Sequence, residues 1–544
     1  MTTALFSFSR IIGGSLHLPL TDSSLITLLL LLVFQNCYAQ DNSTITSTQF
    51  ITDSQTLTSS GQYFKLGFFS PVNSTSRYVG IWYGNNVTVQ TVVWVANRDN
   101  PLNDSSGTLR INGTGGNLLV SNGRGVVMWN TNVSDAAAVN NSVAELMDNG
   151  NLVFRLANDS KRILWQSFDH PMNTFLPDMR IRGNSKPNIL QQFTSWKSES
   201  DPSMGNYSVG LELLENILQM VLWGKGSTGR LWRSGPWNNR IFIGLPDMES
   251  VYNDGFYIVK DDQDGSMYLT YDYVDKSRKE RYVLDYDGSI IGEIWREEAK
   301  VWYRFWSTKA NVCDATYGKC GPFGICDQLN SPVCSCLAGY IPTSTDEWGK
   351  GNWSSGCARK TNLKCQNSST NSSSDDGFFK LGSLKVPDFS YWVATSKVEE
   401  CVQVCLTNCS CIAYSYNSGI GCLTWSGSLL DTQNFSSSGE DLYIRLARSD
   451  LIGKKMKAII IIAVIVGALT IFVCGSFFWR WMAKQRGTES SKDTQTVGES
   501  TDQSILGENP DRLRVFKFEE LAIATNNFSG GNKLGEGGFG PVYK

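Results

Sequence analysis

"GNLLVSNGRGVVMW" (Gly116–Trp129) and "GNLVFRLANDSKRILW" (Gly150–Trp165) open on the same Gly-Asn-Leu, close on a tryptophan and start 34 residues apart. They lie in a stretch, 50–170, that alternates β-branched and aromatic residues with turn signals, as in "TVVWVANRDNP" (Thr91–Pro101). Such a pattern reads as many short strands. A recurring unit that buries one aromatic per copy against a shared core predicts a pseudo-symmetric β-prism.

The rest of the chain supports several domains. It has 544 residues, 41% of them hydrophobic and 12% aromatic, enough for more than one core. A net charge of −3 offers no basic field for nucleic acid. The 14 cysteines are clustered: Cys37, then none until Cys313, twelve by Cys422, and finally Cys474. That clustering predicts disulfide-rich modules in an oxidising compartment.

Two apolar segments set the topology. Leu25–Phe34 is too short to span a bilayer and precedes a small-residue site, "CYA", with cleavage after Ala39, as in a secretory signal. Ala458–Trp479 holds 22 residues without a charge, about 33 Å of helix, and is expected to span the membrane. Lysines 454, 455 and 457 on one flank nearly balance Arg480, Lys484 and Arg486 on the other, so the positive-inside rule barely decides the orientation. The signal, the cysteine cluster and the N-x-S/T sequons decide it, putting the N-terminal part outside in a single-pass type I arrangement. The expected glycan acceptors are Asn42, Asn73, Asn86, Asn103, Asn112, Asn132, Asn140, Asn158, Asn206, Asn352, Asn367, Asn371 and Asn434; Asn408 is crowded by Cys409, and Asn527 falls on the cytosolic side.

The repeats resemble the bulb-type, mannose-binding lectin fold, whose sugar site reads Q-x-D-x-N-x-V-x-Y along one strand. The best match is Met147, Asn149, Asn151, Val153 and Arg155, of which only Asn151 and Val153 fit; the first repeat offers Gly113, Gly115, Asn117, Leu119 and Ser121. The resemblance implies the lectin fold; the sugar hydroxyls need the missing Gln and Asp acceptors, so the residues at these positions argue against mannose binding. "LWQSFDHPMNTFLP" (Leu164–Pro177), "DPSMGNYSVG" (Asp201–Gly210) and "RSGPWNNRIFIG" (Arg233–Gly244) further resemble the plant S-locus glycoprotein and S-receptor kinase family. The aromatic stretch 170–305, with Trp196, Trp223, Trp232, Trp237, Trp295 and Trp302, fits a second lectin-like β domain with most tryptophans in its core.

Cysteines 313, 320, 326, 334, 336 and 357 could pair in fifteen ways. Their tight C-x-C resembles an EGF-like module, which implies Cys313–Cys326, Cys320–Cys334 and Cys336–Cys357. "WSTKAN" ahead of Cys313 has no carboxylate, so no calcium site is expected there. The second set resembles a plant PAN/apple module, which implies Cys401–Cys422, Cys405–Cys411 and Cys365–Cys409. In "CVQVCLTNCSC" Cys401 and Cys405 lie one helical turn apart and can clip a short helix to a sheet. A secreted location favours disulfides over zinc ligation, and no metal is expected.

Extracellular catalysis has little to work with. Past the leader the one histidine is His170, which cannot by itself make a triad or a histidine-rich zinc site. Glu297, Glu298 and the run Lys260–Gly265 read as solvated faces and loops. On the other side, Gly487–Asp511 reads as a polar linker with phosphorylatable hydroxyls. Phe518, Leu521, Ala522 and Thr525 then mark a short amphipathic helix ending near Asn526 and Asn527.

"KLGEGGFGPVYK" (Lys533–Lys544) has G-x-G-x-x-G-x-V at Gly535, Gly537, Gly540 and Val542. The β-forming "PVYK" that follows favours strand-turn-strand over a Rossmann loop. With "ATNNFS" before it, the segment resembles the start of plant receptor-like serine/threonine kinases. In that role the glycines approach ATP phosphates, Phe539 covers them and Val542 packs on adenine. The V-A-I-K lysine, the catalytic loop, D-F-G and A-P-E are absent, so this chain as written is not expected to be an enzyme, and ATP and Mg²⁺ belong to the full-length form.

The expected fold class is multidomain and mostly β. Its parts are a signal peptide (1–39), a bulb-type lectin domain (40–168), an S-locus glycoprotein domain (169–308), an EGF-like module (309–358), a PAN/apple module (365–447), a transmembrane helix (458–479), a juxtamembrane segment (480–532) and an incomplete kinase N-lobe (533–544). The resemblance implies a plasma-membrane receptor for pollen recognition or defence, acting as a homo- or heterodimer on a peptide, lipid or glycan ligand. An end inside an unpaired strand predicts a fragment of a receptor kinase; the alternative is a kinase-less receptor acting as a ligand-binding decoy or dominant-negative partner.

Overall fold

The two Gly-Asn-Leu signatures have one structural explanation. Gly116 and Gly150 turn the chain at φ +60° and +89°, where a side chain would be strained. The asparagine that follows sews its strand to the end of the repeat. Asn117 Oδ1 accepts from Thr131 Oγ1 at 2.9 Å and Val133 N at 2.6 Å, and Asn151 Oδ1 from Ser167 Oγ at 3.1 Å and Phe168 N at 3.2 Å. The leucines, Leu118 and Leu152, point into the core and are buried.

The computed structural model describes residues 43–84, 87–139, 141–183, 191–226, 229–245, 248, 255–261, 266–275, 277–366, 376–485, 516–538 and 540–544. The signal segment, the linker Gly487–Asp511, Phe539, most of Lys260–Gly265 and the sequons Asn42, Asn86, Asn140, Asn367 and Asn371 lie outside them. The chain divides into two units, Met1–Ile460 and Ile461–Lys544.

In the first unit a third copy joins the two repeats visible in the sequence. Thr56–Thr58, Phe64–Phe69, Tyr78–Tyr83 and Val92–Val95 form one antiparallel sheet. Thr108–Asn112, Asn117–Ser121 and Val127–Asn130 form the second, and Ser142–Leu146, Leu152–Leu156 and Ile163–Gln166 the third. The N-terminal strands Phe50–Thr52 and Thr44–Thr46 complete the second and third sheets respectively. The last strand of each sheet contributes one tryptophan, and Trp94, Trp129 and Trp165 meet edge to face with centroids 5.7, 5.7 and 5.5 Å apart. This is the aromatic core of a three-sided prism. The first copy escapes sequence comparison because it lacks Gly-Asn-Leu.

A second set of three sheets follows. Phe193–Ser198, Asp201–Leu214, Ile217–Gly224 and Arg230–Arg233 make one, Ile181–Gly183, Met267–Asp272 and Gly255–Lys260 another, and Thr174–Phe175, Glu280–Leu284, Ile290–Arg296 and Val301–Ser307 the third. One continuous apolar core runs through both prisms. Their junction is built from the signature segments. Arg98, buried, donates from Nε to Pro202 O at 2.8 Å and from Nη2 to Ser195 O at 3.0 Å. Trp94 Nε1 donates to His170 O at 3.1 Å, while the His170 ring stacks on Trp165 at 5.2 Å. Gly205 of "DPSMGNYSVG" is required by space, since a Cβ there would lie 2.1 Å from Trp196 O.

Six disulfides knit the next segment: Cys313–Cys326, Cys320–Cys334, Cys336–Cys357, Cys365–Cys409, Cys401–Cys422 and Cys405–Cys411. The helix Val398–Thr407 carries Cys401 and Cys405 on one fully buried side. Arg445, buried, caps its C-terminal end, with Nη1 donating to Cys405 O at 3.1 Å and Asn408 O at 3.0 Å. One eight-stranded sheet crosses the expected boundary between the two cysteine modules. It places Gly324–Cys326 parallel to Thr432–Asn434 at the flank of Asp376–Lys385, Glu440–Ala447, Ala413–Asn417 and Gly421–Trp425.

A buried ionic cluster locks the second prism onto this sheet. Arg230 pairs with Asp388 and, at 2.7 Å, with Glu212. Arg233 Nε pairs with Asp431 at 2.9 Å, and its Nη2 donates to Val386 O at 2.6 Å and Asp431 O at 3.0 Å. Lys385 Nζ reaches Asp314 at 3.0 Å and Asp431 at 3.4 Å, and Tyr317 donates to Asp388 at 2.6 Å. The opening arginine of "RSGPWNNRIFIG" is therefore an inter-module bolt, and Asn239 of the same segment donates to Gly419 O at 2.7 Å.

The helix Arg448–Gln485 is longer than the expected 458–479 at both ends, because nothing in the flanking sequence breaks it. Its stretch Ile462–Met482, 21 residues, is apolar and unburied. In the second unit Phe518–Ala524 is a short helix, stopped as Asn526, Asn527 and Phe528 adopt φ of 52°, 53° and 54°. Lys533–Gly537 and Gly540–Tyr543 pair as a two-stranded hairpin.

Candidate recognition sites

Most residues matched to the sugar motif are engaged within the fold. Asn151 is 7% exposed, with both amide atoms engaged, Nδ2 donating to Gln166 Oε1 at 2.9 Å. Val153 is buried, and Arg155 pairs with Glu145 at 2.7 Å. Met147 is exposed; Asn149 accepts from Asn151 N at 3.2 Å and donates to Asp178 at 3.4 Å. Asn117 in the first repeat is likewise engaged, with Nδ2 on Gly115 O and Val133 O. Asn117, Asn151 and Arg155 thus spend their polar atoms on contacts within the prism.

Among the sequons, Asn73, Asn103, Asn132, Asn158, Asn206 and Asn352 are exposed. Asn112 is half-buried. Asn434 is also half-buried inside the eight-stranded sheet, with its amide on Asp327 at 2.9 Å. Asn408 accepts from Ser410 N at 3.0 Å, closing the turn beside Cys409.

The glycines of the terminal hairpin stand in open space: at Gly535, Gly537 and Gly540 an added Cβ would meet nothing within 4 Å. Val542 is 58% exposed, and Lys533 is paired with Glu536 at 2.6 Å. A nucleotide needs an adenine wall, a phosphate-pairing lysine and metal ligands below such a loop. The hairpin residues alone do not fit it.

Tertiary structure assembles a different site, a cleft of about 260 Å³ between the two prisms. Tyr63, Tyr83, Asp148 and Asn149 come from the first prism, and Asp178, Asp272, Tyr273, Asp275, Arg278, Lys279 and Glu280 from the second. At its floor Glu280, 2% exposed, accepts from Tyr273 and, at 3.1 Å, from Tyr282, and pairs with Arg278 at 2.6 Å. The Arg278 guanidinium lies 4.3 Å from the Tyr273 ring centroid. Burial, then the neighbouring Tyr282 and Glu280 charges, pushes the Tyr273 hydroxyl far above its ordinary range, and burial does the same at Tyr83; both stay neutral donors. At the rim Asp148 accepts from Gly61 N at 2.7 Å and Asp275 from Ser277 Oγ at 2.6 Å. No sequence signal marks this site, because its residues are scattered from 63 to 280 and meet only where two prisms abut.

Family models match three segments: D-mannose binding lectin over residues 91–197, S-locus glycoprotein domain over 232–344 and PAN-like domain over 365–432. Among Arabidopsis thaliana proteins, one G-type lectin S-receptor-like serine/threonine-protein kinase is 43% identical over 91% of this chain and 60% of its own length. SD1-13, of the same description, is 42% identical over 96% of this chain and 63% of its own length, and B120 is 41% identical over 90% and 59%. The chain thus spans about three-fifths of the relatives it matches. Of solved structures, the Marasmius oreades lectin aligns with 23% of this chain and 89% of its own at 13% identity and a TM-score of 0.17. The Scilla campanulata two-domain lectin aligns with 49% of this chain and 87% of its own at 11% identity and a TM-score of 0.16. Sheet topology and the tryptophan triad define the prisms. By its three matched segments, and by 38–43% identity over most of its length, this chain is similar to the G-type lectin S-receptor-like serine/threonine-protein kinases.

Proposed function

We propose that this chain is the recognition and anchoring portion of a single-pass, type I plasma-membrane receptor. Two lectin-like prisms, an EGF-like module (309–358) and a PAN/apple module (365–447) form its extracellular face, and Ile462–Met482 crosses the bilayer. In the whole protein, ligand binding outside is coupled to serine/threonine phosphorylation inside, with ATP and Mg²⁺ serving the kinase. Gly535, Gly537, Gly540 and Val542 contribute the first strand-turn-strand of that kinase. The observation that carries the reading is the order along the chain: a disulfide-knit β block, then 21 residues of exposed apolar helix, then a glycine hairpin. An apolar helix of about 32 Å matches a bilayer core.

The test is topology in plant cells, using the chain with an epitope tag after Lys544. The reading expects glycosidase to shorten the protein at the six exposed sequons, and external protease to leave the tag intact until the membrane is permeabilised. A tag cleaved in intact cells, or a chain without N-glycans, would overturn it.

A further inference from the structure

The interior of the second prism is not filled. A cavity of about 310 Å³ lies among its three sheets, whereas packed interiors leave few voids larger than a water molecule. Phe175, Tyr282, Phe305 and Trp306 line it from one sheet, Trp232 from another and Phe256 from the third. Among the described residues, no charged side chain lines it. Its hydroxyls are spent within the fold: Ser234 Oγ donates to Gly235 O at 2.8 Å and accepts from Met220 N at 2.9 Å, and Tyr282 donates to Glu280 at 3.1 Å. The indole Nε1 of Trp232 is buried and has no partner among the described residues. An ordered water needs several polar partners, and an apolar void without them stays dry and takes apolar molecules.

A local irregularity builds the mouth. Gly292 pairs with Trp306 and Glu293 with Arg304, so Phe305 is the extra residue of a β-bulge. On a regular strand consecutive side chains take opposite faces; here Phe305 and Trp306 both line the cavity. Gly292 leaves them room, since a Cβ there would lie 2.7 Å from the Phe305 ring and 3.1 Å from that of Tyr282. Phe305 is 42% exposed, so the cavity opens to solvent beside its ring. Volume and lining then select the occupant. An apolar void of about 150 Å³ holds benzene, so this one has room for roughly two fused rings. Rings already meet at an angle in the lining, Tyr282 with Phe305 at 5.9 Å and Trp232 with Trp306 at 6.0 Å. A further ring extends that packing, whereas a flexible chain loses rotamer freedom on entering.

We infer that the interior cavity of the second prism is a binding site for a neutral, indole-sized aromatic group that enters past Phe305. This names a ligand class for the ectodomain proposed above, and rests on that reading only for the cavity facing the outside of the cell. The group can come from a tryptophan side chain of a peptide or from a free aromatic compound, and the chemistry of the cavity is the same for both.

The test is hydrogen exchange of the full chain in lipid nanodiscs, titrated with indole, acetyl-Gly-Trp-Gly-amide and the aliphatic 1-octanol. The readouts are the Leu245 amide, which donates to Phe242 O at 3.0 Å, and the Thr308 amide, which donates to Ile290 O at 3.0 Å; the Thr131 amide in the first prism is the internal control. The inference expects indole or the peptide to slow exchange at the two cavity amides saturably, by about tenfold at ten times the half-saturating concentration, and to leave Thr131 unchanged. Leu245→Trp fills the space and is expected to abolish the protection. Phe305→Ala, at the exposed mouth, is expected to weaken it about fivefold, which keeps the test decisive if the filled variant does not fold. Tighter peptide binding assigns the group to a peptide side chain, and tighter indole binding to a free compound. Absence of saturable protection by both, equal protection by octanol, protection that includes Thr131, or a Phe305→Ala variant protected like the parent overturns the inference. Glycan and protease topology are indifferent to these results, so failure here is separable from failure of the receptor reading.

Discussion

Replacing Arg233 with methionine tests whether the ionic cluster holds the second prism to the disulfide-rich sheet. The guanidinium is 1% exposed and satisfies the Asp431 carboxylate at 2.9 Å and two carbonyls, Val386 O at 2.6 Å and Asp431 O at 3.0 Å. Removing one partner of a buried pair costs about 3–5 kcal/mol, because the other charge remains buried. Lys385 still reaches Asp431 at 3.4 Å, which puts the expectation at the lower end, about 3 kcal/mol. The apolar core keeps the prism folded and the disulfides keep the sheet folded, so the loss falls on docking. Native-state hydrogen exchange reads it at the Asp388 amide, which donates to Leu430 O at 2.9 Å beside the cluster; its exchange is expected to speed up roughly a hundredfold. Arg233→Lys, keeping the charge and losing the fork, is expected to fall between parent and Arg233→Met. A change below about 1 kcal/mol in Arg233→Met would falsify the assignment of Arg233 as the bolt.

Four further outcomes follow. Burial opposes the charge on Asp388, but Arg233, Arg230 and Tyr317 outweigh it and lower its pKa to about 2; the stability it contributes, about 2 kcal/mol, is present above pH ~4 and is lost as pH falls through about 2. Melting profiles of Asp388→Asn, combined with Ser390→Ala so that no Asn-Phe-Ser glycan acceptor is created, should lack that acid limb. Glu440 behaves oppositely: burial raises its pKa to about 6, against a hydrogen bond from Asn417. Its protonated form therefore stabilises the fold below pH ~4.5 and that contribution is lost as pH rises through about 6, a slope that Glu440→Gln should remove. Trp94→Ala opens the centre of the tryptophan triad and should cost about 3–5 kcal/mol, and urea titration followed by tryptophan fluorescence measures it. Finally, D-mannose in millimolar amounts should leave the chemical shifts of Asn151 and Arg155 side chains unmoved; saturable shifts at both would contradict their internal roles.

Much of the fold can be read along the chain, for a local reason. Gly116 and Gly150 mark turns because backbone strain is a property of single residues, and Cys401 and Cys405 share a helix side because that depends only on spacing. The third prism copy is illegible because its sheet keeps the closing tryptophan, Trp94, but lacks Gly-Asn-Leu, and similarity of packing need not leave similarity of letters. The signature segments looked like family marks without a visible job. Arg98, His170 and Arg233 each act across a module boundary, and such a role has no local pattern.

By itself the sequence determined the β class, the repeat, the clustered cysteines and the one long apolar segment, because periodicity, turn chemistry and hydropathy are written in neighbouring residues. Only tertiary structure decided that Asn151 faces inward, that one sheet runs through both cysteine modules, and that Tyr63, Asp178 and Tyr273 share a cleft. Those facts depend on which strands pair and which faces are buried, and such contacts between residues far apart in the chain are settled by the packing of the whole core.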